Sequence, residues 1–445
     1  MLKQILDQAS NALQKSPAQQ WELMLHQTRN ISISIKDNEL EKLQESESLG
    51  LGLRVVQNQR LGFSYLMGSD LSRLAQTINA ALASAQASDP VPGLDLAGPA
   101  ALPAPDLKLL DNPHETVEDK IERGRQMAAA ALKASPKVSH VYPADISQSI
   151  GHTLLRTSQG FDGAYEDSVM WAGCAAIAED NGQQEEAYEG RSARSWQEID
   201  IAALGAKAGG QAAGGLGATA APGGQYMALF TNEVTAYFLG LLAFSMKADN
   251  LSKGRSQLSG KQGKKLFAPI INLIDNPLLA GAVGSRPFDD EGTPSRATPL
   301  VKDGIYLDFI RDRYWAQRLN LASTGNSHRN GLKSPPEVGF SNLILAPGRP
   351  SMPQLIAQMS RGIIVEQVLG GHTADPVSGQ FSLGLAGQLV ENGQIVRPVR
   401  GNALAGQIFK MFAEVRELGN DLQSFGQVAA PCMLVPELTI SGPAA

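Results

Sequence analysis

Between residues 21 and 67 apolar and polar side chains alternate through WELMLHQ, ISISIKD, the segment Leu40 to Glu47, LGLRVVQ and LGFSYL. A period of two belongs to extended chain with one buried and one wet face, and it argues against helix over the whole stretch. Breaks fall near Asp37-Asn38 and from Asn58 to Arg60, so the stretch reads as a meander of antiparallel strands. The alternation returns from Val138 to about Gly190, as in SHVYPADISQSIGHTLLRTS, and predicts a second β section.

Helices are predicted around these strands. MLKQILDQASNAL spaces Leu2, Ile5, Leu6, Ala9 and Leu13 at helical intervals, unlike the continuous apolar core of a signal peptide. DLSRLAQTINAALASAQA turns helical with Asp70 as N-cap. NPHETVEDKIERGRQMAAAALKAS predicts a helix with Asn112 as N-cap, Pro113 at its first position and Glu115 at the capping-box position. Prolines at 90, 92, 99, 103, 105 and 113 mark residues 89–113 as an extended crossing.

SWQEIDIAALGAKAGGQAAGGLGA predicts an Ala/Gly-rich helix that frays into flexible chain, and the main domain boundary is placed near Gly217. Downstream, short strands and Gly/Pro turns dominate, interrupted by helices at Asn232 to Ala248 and roughly Ala405 to Leu418. The fold class is therefore α+β, with antiparallel, curved or layered sheets and flanking helices. Residues 1–217 form the expected N-terminal domain and residues 218–445 a strand-rich C-terminal one.

A formal net charge of −6 argues against a nucleic-acid partner. The cysteines, Cys174 and Cys432, are too few for a disulfide framework or a cysteine metal cluster, which fits a reducing compartment. No uninterrupted apolar run is long enough to span a bilayer, so a cytoplasmic location and no membrane partner are expected.

The stretch NEVTAYFLGLL, from Asn232 to Leu242, opens like the zinc helix of a metallopeptidase yet contains no histidine. Asn232 as an N-cap and Glu233 in a first helical turn satisfy capping and the helix dipole without any chemistry. The loop GSRPFDDEGTPSRATPLVKDG places Asp289, Asp290 and Glu291 side by side. Adjacent carboxylates bind hard cations or perturb one another, but between Pro and Gly they read as a solvated turn.

HETVED at His114 lacks the second histidine of a zinc helix, and His26, His114, His140, His152, His328 and His372 include no pair at ligand spacing. Lys253, Arg255, Lys261, Lys264 and Lys265 form a basic run without interleaved aromatics and read as a solvated loop. There is neither a phosphate loop nor a G-x-S-x-G elbow.

Several stretches together resemble the TldD/PmbA family, in particular its PmbA (TldE) branch. They are ESLGLGLRVVQNQRLGFSYL, KGRS, GSRPFDDEGTPSRATPLVKDG, STGNSHR, SNLILAPG, DPVSGQFSLGLAGQLVENGQIVRPV, GNDL and PCMLVPELTISG, in order along nearly the whole chain. The resemblance implies one subunit of a two-subunit cytoplasmic metalloprotease that degrades unfolded peptides. It also implies maturation of the peptide antibiotic microcin B17, removal of a plasmid-addiction antitoxin, and the older label modulator of DNA gyrase.

In that family the TldD-type chain carries HExxxH and a later cysteine ligand. Here Asn232 stands at the first histidine, Glu233 at the glutamate and Tyr237 at the second histidine, with Cys432 near the cysteine. An amide and a phenol are poor zinc ligands, and without metal-bound water Glu233 has nothing to activate. Positions five apart lie about 140° apart on a regular helix, and Ala236 favours regular helix. Cys432 is expected to be a small buried thiol.

The resemblance thus implies no cofactor in this chain, zinc in a TldD-type partner subunit, and a heterodimer or, without that partner, a homodimer. A sheet edge is expected to take the unfolded peptide as an added strand. The rivals are a self-sufficient hydrolase assembled from Cys432, Glu233, His328 or His372, and a peptide- or protein-binding regulator without proteolysis.

Overall fold

The computed structural model of the protein describes residues 1–103, 105–111 and 115–442. The alternating stretch forms β1 (Gln20–Lys36), β2 (Glu39–Gln57) and β3 (Arg60–Met67). The hairpins turn at Asp37-Asn38 and Asn58-Gln59, where all four residues take positive φ, as a two-residue turn matched to strand twist requires. WELMLHQ and ISISIKD merge into one strand because Thr28, Arg29 and Asn30 between them stay paired on both sides.

The second β section supplies β4 (Val138–Thr157), β5 (Asp162–Asp180) and β6 (Gln183–Ala193). It joins the first section across β1 and β4, giving one antiparallel sheet of six strands in the order β3-β2-β1-β4-β5-β6. Leu23, Leu25, Ile33 and Ile35 on β1 share a face with Leu154 and Ile146 on β4. Over one end of that face lie α1 (Leu2–Gln14) and α2 (Leu74–Ala87), and over the other α3 (Val117–Ala134) and α4 (Ile201–Gly215).

Two expectations are corrected here. The glycines of α4 do not fray it: a β-carbon at Gly205 would meet Met127 O at 2.1 Å and one at Gly209 would meet Ala131 O at 2.2 Å, so they admit the backbone of α3. α3 starts at Val117 with a Thr116–Asp119 capping box, and Glu115 pairs with Arg123 instead of capping. The expected cap Asn112, with Pro113 and His114, lies outside the described residues.

Beyond residue 217, β7 (Gly224–Phe230) pairs parallel with Arg361–Leu369 and antiparallel with Met433–Ser441. Gln380–Glu391 and Gln394–Gln407 complete the circuit, which closes where Ala403–Ala405 meet Thr439–Ser441. The helix expected from Ala405 to Leu418 shrinks to Ile408–Ala413, since the preceding residues form barrel wall. A second sheet of short strands is packed against this barrel through a shared apolar core.

In that core lies α5 (Asn232–Phe244), whose Phe238 ring stacks 5.1 Å from Phe230 and lies 4.8 Å from Phe381. The expected single helix to Ala248 is broken after Phe244, where Met246 and Ala248 exchange backbone hydrogen bonds with Ile310. No helix among the described residues is long and apolar enough to cross a membrane.

The opposite face of the first sheet is buried against the loops between residues 284 and 339. Arg54 of β2 grips Glu22 of β1 through two nitrogens and reaches Glu291 Oε1 with Nη1 at 2.6 Å. Arg329 Nη2 donates to Glu22 at 2.6 Å, and Glu291 Oε2 accepts the Arg313 N–H at 2.8 Å. All four charged side chains of the core of this network are at most 2% exposed. Removing one partner of a buried ionic network strands the others in low dielectric, at a cost of about 3–5 kcal/mol. Arg54→Met is expected to lose about that much in equilibrium denaturation, whereas the exposed Arg73→Met stays within about 0.5 kcal/mol. A loss below about 1 kcal/mol would show that the network does not hold the seam.

Candidate functional site

Thr231 has the extended φ and ψ of an N-cap, so Asn232 is the first residue of α5 and not its cap, correcting the expectation. The Asn232 amide is buried and points away from the helix, donating from Nδ2 to Ala430 O at 3.2 Å and to Asp421 O. Its work is to bind the start of α5 to the loop before Met433–Ser441.

Glu233 projects the other way, towards the first sheet. Its side chain keeps contact with solvent but sits in a recess where desolvation, and then the Glu189 carboxylate, raise its carboxyl above the ordinary range. Lys207, paired with Glu189 at 2.7 Å, opposes that shift.

Tyr237 is turned away from Asn232, as a regular helix dictates, and its hydroxyl donates to Gly371 O at 2.6 Å. Burial raises its phenol. Cys432 is fully buried, and burial, followed by a hydrogen bond to Asp421, pushes its thiol up. Asp421 Oδ1 also accepts the Cys432 N–H at 3.0 Å.

These donors do not fit zinc, which is held by imidazole, thiolate or carboxylate. The amide of Asn232 and the phenol of Tyr237 both act as hydrogen donors to carbonyls, and Cys432 is held as a thiol. Among the described residues no group of three His, Cys, Asp or Glu side chains is arranged to hold a metal ion. His372 lies in the turn Gly371–Thr373 that receives Tyr237, and His328 belongs to a different place altogether.

The FDDEG loop departs from expectation most clearly. It is not a solvated turn: Asp289 is 0%, Asp290 6% and Glu291 2% exposed. Asp289 accepts backbone N–H groups of Glu291, Thr293 and Ser327 at 3.0, 2.8 and 3.0 Å. Burial, reinforced by Glu291, still pushes its carboxyl up to about 7. Asp290 accepts from Arg329 N at 2.6 Å and from Arg286 Nη1 at 3.2 Å. With every carboxylate engaged, the loop is a structural clasp between the two halves of the chain.

Beside this clasp opens a cavity of about 220 Å³ that was not singled out from the sequence. Its polar wall includes His26, Asp167, Arg194, Arg286, His328 and Arg329. His26 ring nitrogens lie 2.9 Å from Thr153 Oγ1 and 2.7 Å from Thr28 Oγ1, and burial lowers the basicity of both His26 and His328. The only signal in the sequence was that His26 falls on the wet phase of the β1 alternation; nothing linked it to His328.

Three matches to domains of one family tile the chain. PmbA/TldA metallopeptidase domain 1 matches residues 21–85, the central domain 111–216 and the C-terminal domain 223–442. The chain belongs to the PmbA/TldD family. Metalloprotease PmbA of Escherichia coli O157:H7 is 26% identical to it over 424 residues, covering 95% of this chain and 92% of that one. The Metalloprotease TldD homolog of Haemophilus influenzae is 27% identical, covering 88% and 86%. Among solved structures, TldE from Thermococcus kodakarensis superposes with a TM-score of 0.86 at 19% identity, over 99% of each chain. A Thermotoga maritima protein described as a candidate modulator of a DNA gyrase gives 0.89 at 22% identity, over 99% of this chain and 100% of its own. The fold is thus that of the PmbA/TldD family.

In the native protein both thiols, Cys174 with its thiol pushed up to about 12 and Cys432 pushed up likewise, are expected to resist a disulfide reagent at neutral pH. Unfolding in denaturant should release both. A thiol that reacts within seconds in the folded chain would contradict the buried, protonated state described for Cys432.

Proposed function

We propose that this chain is a non-catalytic subunit of a TldD/TldE-type metalloprotease of the cytoplasm, active on unfolded peptides only when paired with a HExxxH-bearing partner. The observation that carries the reading is the state of the ligand positions: Asn232 and Tyr237 hydrogen-bond to backbone carbonyls, and Cys432 is a buried thiol. Zinc in the partner would supply activated water, and no step is assigned to Glu233 here. The relatives named metalloproteases support the peptidase family, and the assignment to the PmbA (TldE) branch rests on the absence of histidine at positions 232 and 237.

Where a peptide would lie is also suggested by the sheet. Among the described residues β3 pairs only with Gly50–Gln57 and the Gly68 N–H donates to Leu49 O, leaving the Glu39–Ser48 part of β2 with one unpaired edge. An extended peptide can add to such an edge through backbone hydrogen bonds, which select for unfolded chain and tolerate many side chains. Peptide maturation and antitoxin degradation are the roles proposed, with a homodimer formed through the surface otherwise used for the partner subunit when that partner is lacking.

The test is cleavage of an unfolded reporter peptide by this chain, by its HExxxH paralogue and by the mixture, each with and without chelator. Chelator-sensitive cleavage that needs the mixture is the expected result. Cleavage by this chain alone would mean a complete active site and overturn the reading, while tight peptide binding with no cleavage in any arm would make it a regulator.

A further inference from the structure

The cavity beside the FDDEG clasp is lined by two buried arginines whose hydrogen-bonding capacity the chain does not fill. Arg286 and Arg329 line it, at 7% and 6% exposure. Arg286 Nε and Arg329 Nε and Nη1 are buried without a hydrogen-bond partner among the described residues. An unpaired donor on a buried cation leaves its charge under-compensated, so an anion held in the cavity between the two guanidinium groups is stabilised by both.

The charge pattern narrows what that acceptor is. Burial disfavours the charge on Arg54, Arg286 and Arg329 alike, but carboxylates outweigh it at Arg54 and Arg286 whereas burial prevails at Arg329. The one carboxylate that Arg329 holds through its side chain, Glu22, is shared with the two-nitrogen grip of Arg54. Arg194, Arg286 and Arg329 on the wall face Asp167 and Asp290, an excess of one positive charge. That balance suits a monoanion better than a doubly charged phosphate. The remaining wall includes Met24, Val283 and Leu332, which would cover a short aliphatic portion. His328 stands at the half-exposed side with Nδ1 3.9 Å from Asp290 Oδ2, beyond hydrogen-bond reach, and Gln427 lines the exposed rim.

We infer that this cavity is a binding site for the carboxylate of an amino-acid-sized group, with Arg286 and Arg329 as its anchors. The group is either a free small carboxylic acid or the C-terminal residue of a peptide; the carboxylate chemistry is the same for both. The site uses none of the residues at the zinc-helix position, so it stands whether or not the chain acts in proteolysis.

Titration calorimetry of the full-length protein at fixed ionic strength tests this with three probes: an alanyl-alanine dipeptide with a free C-terminus, the same dipeptide amidated, and the monoanion butyrate. Saturable binding, one per chain, of the free dipeptide identifies a peptide end; of butyrate alone, a free acid; of both, a general carboxylate site. The amidated dipeptide is expected to bind at least tenfold more weakly than the free one. Two variants put a negative charge at the mouth, His328→Glu beside Asp290 and Gln427→Glu on the exposed rim, away from the buried clasp. Each is expected to weaken binding at least tenfold while the thermal midpoint of the unliganded protein stays within a few degrees of the parent's. The inference is overturned if neither free carboxylate binds, if the amide binds equally well, or if a folded variant of either kind binds as the parent does.

Discussion

The docking of the first sheet onto the rest of the chain turns on one buried guanidinium. Arg54 lies between Glu22 and Glu291, and neither carboxylate nor guanidinium has water to fall back on. Ions in this setting cost several kcal/mol each unless geometry closes every bond, so the network is satisfied only when sheet and loop meet in one register. Asp289 serves the same end from inside the loop, holding its turn through three backbone N–H groups. Once the clasp is set, its neighbours follow: Arg329 is drawn to Glu22, Asp290 faces Arg286, and the cavity is left between them.

At the barrel, the positions proposed to correspond to the metal ligands of a HExxxH chain carry side chains that bind backbone. Asn232 binds two carbonyls of the segment that leads into the last strand, and Tyr237 closes onto Gly371. On the proposed correspondence, each of these side chains is a hydrogen donor to backbone where a metal ligand would offer a lone pair. Glu233 lies in a recess shaped by Glu189 of the first sheet and Lys207 of α4. Catalysis by this chain would therefore need ligands that these positions no longer provide, which is why a partner is central to the proposed function.

Local order was largely legible because it is written in short-range patterns. Alternation along β1 and β2, and the Asp37-Asn38 turn, are decided by neighbours one or two residues away. The divergence of Asn232 and Tyr237 followed from helix geometry alone. What failed depended on distant partners. Asp289, Asp290 and Glu291 read as solvated because acids flanked by Pro and Gly usually are, and the cation that buries Glu291 is 237 positions away in sequence. The strand through Ala405 looked helical because its apolar spacing is ambiguous over a short run, and closure against Thr439–Ser441 decided it. The cavity depended on His26 and His328 meeting across the seam, which no local pattern records.

The most direct measurement of the central claim is the zinc content of the isolated chain after equilibrium dialysis against micromolar zinc and a weak competing chelator. The account predicts well below one zinc per chain, unchanged in Cys432→Ser. One tightly held zinc per chain, lost in Cys432→Ser or in Glu233→Gln, would contradict it and place a working metal site at the start of α5.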